Sequence, residues 1–129
     1  MSLTNIFLSG IIMIILDSIY LSTIGNIFFS PLIKNIQGSN LTVNIYYAVF
    51  CYLFLVIGLN YFIISQNKSL IDAFLLGILI YGVFETTSGA IFKSWKLIPT
   101  VIDSLWGGIL FISVTYLTYK YNGLIKNKQ

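Results

Sequence analysis

Apolar residues along this chain gather into four long runs, approximately Ile6 to Ile27, Val43 to Ile64, Leu70 to Phe92 and Ile98 to Tyr119. Each is close to the ~20 residues that an α-helix needs to cross about 30 Å of hydrocarbon. The runs are apolar nearly all round, as expected of helices with lipid on their outer faces. About 15, 5 and 5 residues connect them, too few for a soluble domain and short enough to make the last three helices antiparallel neighbours. The pattern predicts an all-α polytopic membrane protein, a bundle of four transmembrane helices forming one domain over residues 1–129.

Each run has its own punctuation. After the first, Pro31, Lys34, Gly38, Ser39 and Asn40 end the helical pattern. Phe28, Phe29, Leu32 and Ile33 lie within that stretch and predict a short interfacial helix ahead of Gly38. The second run is dense in Tyr and Phe and reads as scaffold, with Asn60 as an interhelical hydrogen bonder. The third holds Gly77, Gly82 and Gly89, small residues that favour a central position in the bundle. The fourth begins near Pro99, which a first helical turn tolerates.

Composition narrows the class further. At 57% hydrophobic and 9% charged, the chain is too apolar for an ordinary soluble fold. There is no histidine, and the one cysteine, Cys51, lies inside the second run. A zinc or haem centre of the usual ligand type is therefore not expected, and no cofactor is indicated. The first run lacks a basic residue before it and contains Asp17, which favours a retained helix over a cleaved leader.

The seven basic residues are lysines near span ends. They read as membrane-flanking anchors in contact with lipid, too dispersed for a nucleic-acid surface. Lys68, Lys120, Lys126 and Lys128 fall on the side of the termini, and Lys34, Lys93 and Lys96 on the other. That balance leans toward cytoplasmic N and C termini.

The acids carry the candidate chemistry. Asp17, Glu85 and Asp103 lie inside predicted spans, where an acid at mid-membrane costs roughly 2.5–3.5 kcal/mol on insertion scales. Counted from the side of Lys34, Lys93 and Lys96, they stand about 11, 8 and 7 residues deep, or roughly 16, 12 and 10 Å. All three are thus expected in one half of the membrane.

On helical wheels, Asp17 shares a face with Gly10, Met13, Leu21 and Ile24. Glu85 shares one with Tyr81, Ser88 and Gly89, and Asp103 with Pro99, Trp106, Gly107 and Leu110. A glycine on each face invites close helix approach, and Tyr20, Tyr81 and Trp106 stand within a turn of the acids as donors and rigid walls. With no lysine inside the spans, at least one acid is expected to carry its proton. The expected ion- or ligand-binding set is Asp17, Glu85, Asp103, Tyr20, Tyr81, Ser88 and Trp106.

A short internal echo accompanies the acids. Leu16-Asp17-Ser18-Ile19-Tyr20 resembles Ile102-Asp103-Ser104-Leu105-Trp106, on helices that run in opposite directions. Five positions with two identities do not establish a duplication.

Three segments, LDSIYL at Leu16 to Leu21, YGVFETTSGAIFKSW at Tyr81 to Trp95 and IDSLWGG at Ile102 to Gly108, together resemble an uncharacterised family of small four-span membrane proteins, domain of unknown function 2177. That family's pattern has Leu-Asp followed by Trp in helix one, Tyr-Gly then Tyr-Asp-Leu-Thr-Asn in helix three, and Asp-x-x-Trp-Gly in helix four. Asp17 falls on the first acid, with Tyr20 where Trp is usual. Glu85 falls on the second, preceded by Phe84, with Thr87 at the threonine and Ser88 where Asn is usual. Asp103, Trp106 and Gly107 match the last motif unchanged. The resemblance implies the topology and marks the same acids, but implies no reaction.

Three functions remain open. The acids suit a conduit or transporter for protons or small cations, formed by a homo-oligomer because four helices rarely enclose a pore. They equally suit a structural or interaction subunit that uses hydrogen bonds between helices. A membrane-embedded enzyme or binding protein for a lipid-like ligand is the third reading, with Lys93 and Lys96 at its rim.

Overall fold

The computed structural model describes residues 1–123, so Lys126 and Lys128 lie outside the described residues. Five α-helices make up the bundle: α1 (Leu3–Tyr20), α2 (Asn26–Gln37), α3 (Ile45–Leu59), α4 (Leu70–Ile91) and α5 (Leu97–Tyr121). One π-helical turn, Leu21–Gly25, joins α1 to α2, and another, Asn60–Ile64, extends α3. Four continuous helical stretches are long and apolar enough to cross a membrane.

The first stretch departs from the sequence reading. Helix runs unbroken from Leu3 to Gln37, through Pro31, instead of ending near Ile27 and restarting. Proline deletes one backbone donor and bends a helix, but the remaining backbone hydrogen bonds of α2 carry the helix on past it. The helix stops instead at Gly38, whose φ of 77° is the left-handed conformation that glycine adopts freely, and whose N–H donates to the Lys34 carbonyl at 2.9 Å. About 20 residues suffice for the crossing, so α2 projects past it and carries Lys34 outward.

α1 and α5 are antiparallel. Asn122 donates to Asn5 Oδ1 at 3.0 Å at one end, and Tyr20 reaches Asp103 at the other. The outer surfaces are apolar, with Phe7, Ile11, Ile15 and Ile19 exposed along α1 and Ile71, Leu75, Leu79 and Val83 along α4. These four-residue spacings mark the lipid-facing stripes.

α4 and α5 are the most intimate pair, because glycine removes the side chains between them. A Cβ on Gly77 would overlap the backbone carbonyl of Gly107, and one on Gly107 would overlap the Tyr81 ring. A Cβ on Gly108 would stand 2.7 Å from Phe74 Cε2. Gly10 and Gly89, which the wheels also put beside acids, meet their neighbours only at ordinary contact distances of 3.7 and 3.6 Å. Close backbone approach therefore belongs to the α4–α5 contact alone among those glycines.

The interior is layered. Near the termini, Tyr119 donates to the Lys68 carbonyl at 2.8 Å, and the buried Asn60 donates to Ser9 Oγ at 2.9 Å. Asn60 also reaches the Val56 carbonyl at 2.8 Å, at the point where α3 widens into its π turn. Asn60 is thus the interhelical hydrogen bonder the sequence suggested. Beyond it comes an apolar layer in which Met13, Leu59, Leu110, Phe111 and Val114 are completely buried. The acids stand on the far side of that layer.

Gly107→Ala is expected to destabilise the purified protein by roughly 1–3 kcal/mol through overpacking against Tyr81 and Gly77. Gly58→Ala, whose Cβ would meet nothing within 4 Å, is expected to change stability little. Unfolding of both variants in the same detergent would check the contrast.

Candidate functional site

Asp17 lies one turn before the end of α1, Glu85 six residues before the end of α4, and Asp103 six residues into α5. The hairpin joining α4 to α5 therefore sets the last two at the same level, about 9 Å from the helix ends. All three are buried, at 6%, 0% and 9% exposure. The five described lysines are all exposed, so none neutralises an acid from within.

Donors come instead from aromatic rings on other segments. Tyr20 on α1 donates to Asp103 Oδ1 on α5 at 3.0 Å. Trp106 on α5 donates through Nε1 to Asp17 Oδ1 on α1 at 2.9 Å. The exchange is reciprocal: each helix presents an Asp and, three residues on, an aromatic donor to the acid of its antiparallel neighbour. Tyr20 and Trp106 stack face to face between the two acids, with centroids 4.5 Å apart and planes 11° from parallel. The sequence echo between Asp17-x-x-Tyr20 and Asp103-x-x-Trp106 thus has a structural counterpart, an approximate two-fold relation about that stack.

Two further donors complete the cluster. Tyr52 on α3 donates to Asp17 Oδ2 at 2.5 Å, so both oxygens of Asp17 are engaged. Trp95, in the connection after α4, donates through Nε1 to Glu85 Oε2 at 2.8 Å. Its indole also packs near Phe92 and Phe29, with centroids 5.9 and 6.1 Å away. The Glu85 and Asp103 carboxyl groups face each other within hydrogen-bonding reach. Glu85 Oε1 is buried and receives no donor.

Of the seven residues singled out in the sequence, five enter this constellation: Asp17, Glu85, Asp103, Tyr20 and Trp106. Tyr81 packs edge-on to Phe111 and against Gly107, and its hydroxyl donates to no acid among the described residues. Ser88 is buried on the Glu85 face, but there its backbone carbonyl accepts from Phe92 N–H at 2.9 Å and its hydroxyl reaches no acid. Tyr52 and Trp95 were missed. Tyr52 sits seven residues into α3 among aromatic rings that are mostly exposed, and no periodic signal in that helix singles it out. Trp95 lies outside any span, and only the return of the connection over the helix end brings it to Glu85.

Among the described residues, no three acidic or thiol side chains converge on a point where a metal ion could sit. The acids are paired with donors, not pointed at a shared centre.

A four-span, all-α membrane protein with hydrogen-bonded acids between its helices is the class this architecture defines. The chain belongs to the family described as "Predicted membrane protein (DUF2177)", whose model matches residues 2–120. No curated protein and no solved structure matches it.

Tyr52→Phe is expected to cost about 1–2 kcal/mol, since it leaves a buried Asp17 oxygen without its donor. Tyr46→Phe on the exposed start of the same helix should be neutral. Thermal unfolding in detergent distinguishes the two.

Proposed function

We propose that the protein is a structural membrane subunit in which intramembrane acids clasp the helices together, and that it is not a self-contained conduit. The observation that carries this reading is the reciprocal exchange between Asp17-x-x-Tyr20 and Asp103-x-x-Trp106. Hydrogen bonds between membrane helices replace the hydrophobic drive that lipid cannot supply. Here they also fix rotation and register, because a slip of one residue would swing every acid off its donor.

Two features weigh against conduction. An apolar layer of Met13, Leu59, Leu110, Phe111 and Val114 separates the acids from the buried polar groups nearer the termini, Ser9, Asn60, Thr115 and Thr118. A pore between copies of the chain would need its acids at the copy–copy surface, whereas these are buried within one chain. A lipid-like ligand would similarly have to displace indole and phenol donors already in place. On this reading both termini face the cytoplasm, with Lys68 and Lys120 at that end and Lys34, Lys93 and Lys96 at the acid end.

Asp17→Asn and Asp103→Asn are each expected to lower the unfolding midpoint in detergent, by a free energy of roughly 1–3 kcal/mol. The wild-type protein in liposomes should show no proton or cation flux above that of empty vesicles. Unchanged stability in both variants, or flux abolished by Asp103→Asn, would contradict the clasp.

A further inference from the structure

The two halves of the clasp differ in one respect. Asp17 accepts from two neutral donors, the Trp106 indole and the Tyr52 phenol. Asp103 accepts from one, Tyr20, and its carboxyl lies beside that of Glu85. An ionised carboxylate offers only acceptors, so two of them face to face make no hydrogen bond.

Nothing nearby relieves that mismatch. Glu85 is fully buried, its Oε2 is held by Trp95, and its Oε1 has no donor. Thr100, one turn before Asp103, lies close to Glu85, but its single hydroxyl proton goes to the Lys96 carbonyl at 2.7 Å. The other groups around the pair are Asp17 and Tyr20 from α1, Tyr81 from α4 and Trp95 from the connection. None is cationic, and every described lysine is exposed. Two adjacent buried charges without a counterion would cost several kcal/mol, beyond what the neighbouring hydrogen bonds return.

We propose that Glu85 and Asp103 bind one proton between them at neutral pH, so that this corner of the cluster is a proton-binding site joining α4 to α5. The proton converts the orphaned Glu85 oxygen into the donor that Asp103 lacks, the counterpart of Tyr52 on Asp17. One O–H···O bond forms and the pair keeps a single negative charge, stabilised by Tyr20 and Trp95. The inference rests on the clasp reading's placement of these side chains, yet it is tested by a different signal.

Glu85 is the only glutamate in the chain, which allows an isotope-edited test on the unmutated protein. Infrared spectra of the full-length protein in lipid nanodiscs at pH 7, unlabelled or carrying ¹³C-carboxyl glutamate or ¹³C-carboxyl aspartate, are compared in H₂O and D₂O. The expected result is one protonated-carboxyl carbonyl band per chain that shifts in D₂O and moves with the glutamate label, or moves with the aspartate label and shifts or disappears in E85Q. Asp17→Asn should leave that band in place. Absence of any protonated-carboxyl band, or a band lost in Asp17→Asn and indifferent to E85Q, would overturn the proposal. Should E85Q fail to fold, D103N serves in its place, with the same loss or shift expected. Loss of stability in the clasp variants without such a band would sink the shared proton and leave the clasp standing; the band without loss of stability would do the reverse.

Discussion

The rest of the bundle depends on burying acids without cations. An ionised carboxylate within a membrane must be met by donors, and here those donors are indole and phenol groups supplied by other segments. Tyr20 serves the acid of α5, Trp106 serves the acid of α1, and their rings stack between the two acids. Aromatic donors suit the task because their bodies are apolar and few rotamers must be frozen to aim one N–H or O–H. The same side chains therefore pack the helices and satisfy the acids.

From that exchange the other contacts follow in order. Tyr52 on α3 takes the second oxygen of Asp17. Glycine at positions 77, 107 and 108 lets α4 lie against α5, which sets Glu85 beside Asp103 and brings Trp95 back over the helix end. Asn60 and Ser9 repeat the principle with neutral groups in the other half, beyond the apolar layer. Both polar layers tie α3 to α1, and with the α1–α5 exchange they fix register along the length of the bundle.

Much of this was legible in the sequence. Hydropathy alone gave four spans, and counting residues from the lysine-bearing ends put three acids in one half of the membrane. The echo between Asp17-x-x-Tyr20 and Asp103-x-x-Trp106 was visible too, but its meaning lies in the crossing of two antiparallel helices, which no local pattern encodes. Tyr52 was lost among the lipid-facing aromatics of α3, because a helix apolar on all sides gives no periodic sign of which ring turns inward. Pro31 misled for another reason: one lost backbone donor bends a helix without ending it when the flanking hydrogen bonds persist. Tyr81 and Ser88 share a helical face with Glu85, yet a shared face does not make a shared contact.

The central claim is that Tyr20 and Trp106 act as one clasp, each holding the acid opposite. A double-mutant cycle with Tyr20→Phe and Trp106→Phe tests it most directly, since each change removes a donor and retains an aromatic ring. Unfolding free energies in one detergent should show each single variant destabilised, and the pair coupled by more than about 0.5 kcal/mol. Losses that add to within roughly 0.3 kcal/mol would mean two independent hydrogen bonds and no clasp.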